Sequence, residues 1–450
     1  MTRSASTFAA ALLLLLATGP TASAGAATGL SPARGFAPRE VVLKLEGSPR
    51  ARTVELPRGL GVRRATATLR RWPRVAYAAP NYLATASGIA APSSLALPND
   101  PGPLAIPPGP PGGWASLQWS FLPWSGPATA PLPISPGGID AVGAWRNLIA
   151  AHRPGASGIT VAVLDTGIAY RSLGSRFRRS PDFASGQFVP GYDFVQNDRL
   201  PLDENGHGTH VAGTIAERTD NGIGLTGLAY NAKLMPVRVL DRNGSGQADD
   251  IARGIRFAIA HGADVINMSF NFGCGKEVPG VDEELRDAYR KGVVTVASIG
   301  NLGSESCISP PATSPHTIGV GGTTEGGCLG SYSLLPGRGV DLLAPGGGSP
   351  AIGCPSVSSR SIYQVTLKAG SPRYFGEPGS YIGTSMAAAH VSGVAAMVLA
   401  SGVLGPRLSP QAKVEAIARR LSNTARDLAM PPARQGAGLI DAARATEPPA

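Results

Sequence analysis

The pattern that most constrains this chain begins at Ile139. Short, mostly apolar runs at 159–164, 234–239, 265–268, 293–298 and 318–321 alternate with helix-like stretches at 207–218, 248–261, 281–291, 385–400 and 411–422. Runs that are mostly apolar, without strict alternation, suit strands covered on both faces. Alternation of such strands with helices implies a parallel sheet between two helical layers, so the expected class is α/β. The stretch at 411–422 also has a defined start, Ser409 as cap followed by Pro410 in the first turn. No repeat of roughly 20 to 50 residues is visible, which argues against a solenoid or propeller.

Upstream lies a smaller pattern. Residues 40–46 alternate apolar and polar, residues 74–78 do so in part, and a helically spaced stretch at 62–72 ends at Pro73. A compact α/β unit is expected there. Residues 84–138 are crowded with Pro and Gly yet contain Trp114, Trp119 and Trp124, so part of this tract should pack down as an extended arm. The N-terminus reads Met1-Thr2-Arg3, then an apolar run at 8–17, then Ala22-Ser23-Ala24. A basic start, a run too short to span a bilayer and a small-residue exit are the marks of a cleaved secretory leader over 1–24. The protein is therefore expected outside the cytoplasm, extracellular or periplasmic, and off the membrane once the leader is removed.

Export makes the cysteines informative. Cys274, Cys307, Cys328 and Cys354 are an even set, which favours two disulfides in an oxidising compartment. Three pairings are possible; sequence neighbours, Cys274 with Cys307 and Cys328 with Cys354, close the shorter loops. A zinc site would want a Cys-x-x-Cys pair, and there is none. The formal charge of +10 invites a nucleic-acid reading. Yet residues 31–86 hold eleven Arg or Lys against three acidic residues, a net of +8, and Arg3 adds one. The remainder is almost neutral, so no nucleic-acid partner is expected.

Three segments carry chemistry. The run at 159–164 leads directly into Asp165-Thr-Gly167, and in a parallel sheet functional groups gather where strands end. An aspartic-protease dyad would need a second Asp-Thr-Gly, which the chain lacks. Next comes Asn205-Gly-His207-Gly-Thr-His210-Val-Ala-Gly-Thr214. Glycines flank His207 as the loop enters a helix, leaving room for another chain to approach. The helix N-terminus is expected to keep the imidazole neutral. His210 reads as structural, because zinc-protease helices space their histidines at i and i+4 with a Glu. The third segment is Gly383-Thr-Ser385-Met-Ala-Ala-Ala-His390-Val-Ser-Gly393, where small residues leave the Ser385 hydroxyl approachable. An α/β-hydrolase would place Ser first, in a Gly-x-Ser-x-Gly elbow. The order here is Asp165, His207, Ser385.

With that order, the three segments resemble the signatures of the subtilisin-like serine proteases, over about residues 99–445. The resemblance implies a three-layer subtilisin-like fold and a catalytic triad of Asp165, His207 and Ser385. It implies an oxyanion donor at Asn301, in Ala297-Ser-Ile-Gly-Asn301, beside the N–H of Ser385. Substrate would lie as an extended strand against Gly244, Ser245 and Gly246 on one side and Ser269, Phe270 and Asn271 on the other. Ser298, Ile299 and Gly300 would wall the primary pocket. Asn271 replaces the family's common Gly, Ala248 stands where a large aromatic often lines an outer subsite, and Ala389 replaces the signature proline.

The resemblance further implies structural calcium held by Asp100, Asp182 and Asn221, a weaker second calcium site near Asp193 and Asp198 with Leu200 and Leu202 offering carbonyls, and no organic cofactor. Residues 25–86 would be an inhibitory propeptide with its tail at 74–82, 87–98 a linker containing the maturation site, and 99–446 the peptidase domain. The expected activity is that of a monomeric endopeptidase on proteins or peptides, with its own propeptide as inhibitor. A narrow processing protease and an esterase using the same triad are the alternatives.

Overall fold

The computed structural model describes residues 36–48, 52–82, 97–104, 109, 111–126, 132–273, 275–303, 308–333, 340–368, 371–405 and 408–448. The expected leader, most of the linker, Cys274 and Cys307 lie outside the described residues. The chain divides into two compact units, residues 1–90 and 91–450.

In the first unit, strand β1 (Phe36–Leu45) is flanked on either side by β2 (Arg52–Glu55) and β3 (Val75–Tyr82), both antiparallel to it. Helix α1 (Val62–Leu69) turns Val62, Ala65 and Leu69 onto Val41, Leu43, Leu56 and Ala78, an apolar core of its own. β2 was not expected from the sequence; its four residues, Arg-Thr-Val-Glu, offer one apolar side chain.

The second unit begins with the tryptophan tract. Trp114 and Trp119 are fully buried and Trp124 donates from Nε1 to Asp441 (2.9 Å). Then follow α2 (Ala141–Ala150), β4 (Thr160–Asp165), β5 (Tyr192–Asp193), α3 (His207–Ala216), β6 (Lys233–Arg238), α4 (Ala248–Ala260), β7 (Val265–Met268), α5 (Pro279–Lys291), β8 (Val294–Ser298), β9 (Thr317–Thr323) and β10 (Leu342–Pro345). A short hairpin, β11 (Thr366–Leu367) with β12 (Phe375–Gly376), precedes α6 (Thr384–Ser401), α7 (Pro410–Thr424), α8 (Pro432–Gln435) and α9 (Ala442–Thr446).

Seven strands form one wholly parallel sheet in the order β10-β9-β8-β7-β4-β6-β5. Strands β7 and β8 are buried along their whole length, including the polar Asn267, Thr295 and Ser298. Helix α6 lies across β7, β8, β9 and β10, and α3 and α2 pack on α6; α4 packs on β4 and β6 with α5 beside it. The layers are therefore helix, sheet, helix. α6 is apolar on every side because it runs through the core: 83% of it is buried, which explains an 18-residue stretch otherwise apolar enough for a membrane. Ser409 caps α7 by accepting from the amide of Ala412, as expected from its sequence.

From β4 the chain builds outward to β5 and β6 and then crosses to β7 on the other side of β4. The order thus reverses at the β4–β7 pair, and a crevice forms where their carboxyl ends diverge. Asp165 is the last residue of β4 and Ser269 follows the end of β7.

Candidate active site

Asp165 reaches this crevice fully buried. Its Oδ1 accepts from the amide of Thr166 (2.7 Å), and both carboxylate oxygens face His207 Nδ1, at 2.8 and 3.0 Å. His207 is the first residue of α3 and keeps about a quarter of its side chain exposed (26%). The approach is close because residue 208 is glycine: a Cβ there would collide with the carbonyl of Gly167 and press on Asp165.

Asp203, which the sequence reading missed, organises the entry to α3. Its Oδ1 accepts from the amides of Asn205 (2.8 Å) and Gly206 (2.9 Å) and from Thr166 Oγ1 (2.9 Å), and its Oδ2 accepts from the amide and hydroxyl of Thr209. One buried carboxylate thus ties the strand end bearing Asp165 to the helix start bearing His207.

The helix N-terminus is not the only influence on the charge of His207. Burial does oppose protonation of His207, but the charge and hydrogen bond of Asp165, with Asp203 adding to them, outweigh it and raise the imidazole above its ordinary range. His210 behaves oppositely. It is buried, stacks 4.1 Å from the Tyr381 ring and donates from Nε2 to the carbonyl of Ile362 (3.0 Å), and burial pushes it down to about 3. His390 is likewise buried, with Nδ1 on the carbonyl of Met386 (2.8 Å). Both are packing residues.

Ser385 stands in the first turn of α6, half-buried. Its hydroxyl donates to the carbonyl of Ser269 (2.9 Å), while Ser269 Oγ donates back to the carbonyl of Ser385 (2.8 Å). Beneath this pair Asn267 donates to Ser269 Oγ (2.9 Å) and accepts from Ser392 on α6 (2.9 Å), so β7 and α6 are riveted together at the serine.

Asn301 is oriented by Thr384. Its Oδ1 accepts from the amide (2.8 Å) and hydroxyl (2.9 Å) of Thr384, leaving Nδ2 without a protein partner among the described residues. Gly383, at φ 140°, permits this: a Cβ there would stand 2.9 Å from Asn301 Nδ2. Ala389 is buried inside an unbroken α6, so the helix forms without the signature proline.

The expected substrate segments lie at the same end of the sheet. Asn271 comes up against Gly300, and Ser298 Oγ donates to the carbonyl of Phe270 (3.2 Å), so 269–271 and 298–300 meet as one wall. Ser309, also missed from the sequence, joins that wall through its amide on Ile299 (3.2 Å). Gly244, Ser245 and Gly246 form an exposed turn after β6, held by Asp241, and Ala248 is exposed at the start of α4.

The residues expected to hold calcium meet at the other end of α3. Asp100 accepts from the amides of Asp220 (2.9 Å) and Asn221 (3.0 Å), and Asp182 accepts from Asn221 Nδ2 (2.8 Å) and the amide of Leu225 (2.9 Å). Burial pushes Asp100 up to about 6, and burial with the neighbouring Asp100 and Glu377 carboxylates pushes Asp182 well up. Among the described residues no three His, Cys, Asp or Glu side chains are grouped closely enough to hold a metal by themselves. At the second site, Asp193 Oδ2 takes Arg238 Nη1 (3.0 Å) and its Oδ1 takes the amides of Val195 and Gln196, so both of its oxygens already have partners. Cys328 and Cys354 are bonded to each other, as expected for that pair.

The subtilase family model matches residues 156–438. A thermophilic serine proteinase of Bacillus sp. (strain AK1) is 39% identical over 249 residues, 55% of this chain and 54% of that protein. Thermitase of Thermoactinomyces vulgaris is 35% identical over 268 residues, 60% of this chain and 84% of that protein. The chain thus spans about half the length of the first and most of the second. A solved protease structure from Pseudoalteromonas arctica superimposes with a TM-score of 0.59 at 29% identity, covering 78% of this chain and 99% of that one. The chain belongs to the subtilase family of subtilisin-like serine proteases.

Proposed function

We propose that this chain is a secreted serine endopeptidase, made as a self-processed zymogen, that hydrolyses peptide bonds through Asp165, His207 and Ser385. The observation that carries the reading is the contact of His207 Nδ1 with both oxygens of a buried Asp165, which leaves Nε2 as the ring nitrogen free to take a proton. Substrate adds as a strand between 244–246 and 269–271. Its backbone takes over the Ser269 carbonyl, freeing the Ser385 hydroxyl to turn toward His207. Ser385 Oγ attacks the scissile carbonyl as its proton passes to His207 Nε2, and Asp165 stabilises the imidazolium. Asn301 Nδ2 and the amide of Ser385 donate to the oxyanion. Collapse gives the acyl-enzyme as His207 protonates the leaving amine, and water activated by the same imidazole releases the second product. The wall at Asn271, Ser298, Ile299 and Gly300 is uncharged, which supports a broad or apolar preference.

Calcium would be held where Asp100, Asp182 and Asn221 meet. The donor set is hard oxygen, and the upward-pushed carboxylates mark a place where a cation would be welcome. Its contribution there would be structural, tying the arm at residue 100 to the loop at 221.

A peptide-library digest with phenylmethylsulfonyl fluoride and chelator controls tests the reading. Cleavage sensitive to the sulfonyl fluoride, with chelator lowering thermal stability, is expected; ester hydrolysis without peptide cleavage would reverse it. In parallel, a Ser385→Ala chain should keep residues 25–86 covalently attached, and normal maturation of that variant would contradict self-processing.

A further inference from the structure

Between Ile168 and Asp182 the chain carries Arg171, Arg176, Arg178 and Arg179 and no acidic residue. All four arginines are exposed. The segment folds back on itself, Leu173 and Phe177 exchanging two backbone hydrogen bonds of 3.2 Å around a tip at 174–176. It is fixed to the His207 side of the site at three points. Arg176 pairs with Glu204, three residues before His207. The amide of Arg178 donates to the carbonyl of Pro372 (3.0 Å), in the turn between β11 and β12, and Thr366 of β11 bonds the carbonyl of Gly206. The amide of Ala169 donates to Thr209 Oγ1 (3.0 Å) in the first turn of α3.

Among the described residues no carboxylate pairs with Arg171, Arg178 or Arg179. At the foot of the hairpin lies an open cavity of about 580 Å³. Arg171 and Arg179 stand on its walls, and Tyr170 and Phe188, with ring centroids 5.6 Å apart, contribute its apolar part. Guanidinium groups beside aromatic rings are a receptor for carboxylates carried on a short apolar stem.

We propose that this hairpin is an anion-recognising exosite, in which Arg171 and Arg179 receive acidic side chains of a polypeptide whose scissile bond lies in the cleft beside His207. The proposal rests on the peptidase reading above and adds to it a substrate class, acidic polypeptides. A nucleic acid fits less well. Tight phosphate-backbone binders engage roughly six to ten phosphates, whereas here two exposed guanidiniums, Arg171 and Arg179, stand on a cavity of side-chain size, in a domain of almost no net charge.

The test uses two fluorogenic peptides with one shared cleavage sequence, flanked either by Asp and Glu or by Gln and Ser at the same positions. The mature enzyme should show roughly fivefold higher kcat/KM on the acidic peptide, through KM, as expected for two exposed ion pairs. That preference should vanish in about 1 M salt, where the screening length is about 3 Å. In the double variant Arg171→Glu/Arg179→Glu the ratio should fall below one, and Arg171→Lys/Arg179→Lys should retain most of it. Equal rates in the parent enzyme, or a preference that survives the Glu variant, would overturn the proposal. So would an unchanged peptide ratio together with lost retention on an immobilised polyanion, which would assign the hairpin to an anionic polymer. Cleavage of the neutral peptide alone would overturn the exosite and leave the peptidase reading standing; cleavage of neither would overturn both.

Discussion

Thr384 decides which end of the Asn301 amide faces the nucleophile, because its N–H and hydroxyl both occupy Oδ1. On the proposed mechanism, Asn301→Ala should lower kcat roughly 100- to 1000-fold with little change in KM, measured on one peptide substrate. The ionisation of His207 gives a second prediction. Only the neutral imidazole can accept the Ser385 proton, and Asp165 raises its pKa above the ordinary value near 6.5. The pH profile of kcat/KM should therefore fall on the acid side, with a midpoint above about 6.5. In Asp165→Asn, which removes the raising charge, that midpoint should drop along with the rate. Asp165 stood out in the sequence because it ends an apolar run, and His207 and Ser385 because small residues surround them, whereas Asn301 came only from the family resemblance. Asp203 and Thr384 did not stand out. A buried acid that gathers amides looks, in sequence, like any turn aspartate, and a threonine beside a nucleophile looks like a cap.

At the scale of elements, the site depends on β4 being gripped from both faces. Gly254 on α4 is where that helix meets the sheet: a Cβ there would lie 2.6 Å from Val239 Cγ1 and 3.3 Å from Val237 Cγ1. Gly254→Val should cost about 2 kcal/mol, read as a lowered denaturant midpoint with an unchanged slope. The strands at the centre of the sheet were legible because a parallel strand buried on both faces is mostly apolar. The edges were not. β5 has two residues, too few for any periodicity, and β10 ends in Pro345, which reads as a breaker; β11, in the separate hairpin, is as short as β5. α2 was missed because its start, Asp140, follows a Pro- and Gly-rich tract that masks the cap it provides to the amide of Gly143.

For the whole molecule, charge and chemistry are segregated. Residues before 87 carry most of the net positive charge, while the parallel sheet and every proposed catalytic group belong to the second unit. That unit is stapled by the Cys328–Cys354 bond, which spans 26 residues. Replacing both cysteines with serine should lower unfolding stability by about 2–4 kcal/mol, measured by denaturant titration under non-reducing conditions. The central claim is that Ser385, activated by His207, is the nucleophile. Peptide mapping of the purified enzyme after inactivation with phenylmethylsulfonyl fluoride tests it most directly. One sulfonyl group, on Ser385, is expected in proportion to lost activity, and none on an Asp165→Asn or His207→Ala enzyme over the same interval. Stoichiometric inactivation with the label on another residue, or full peptidase activity in Ser385→Ala, would contradict it.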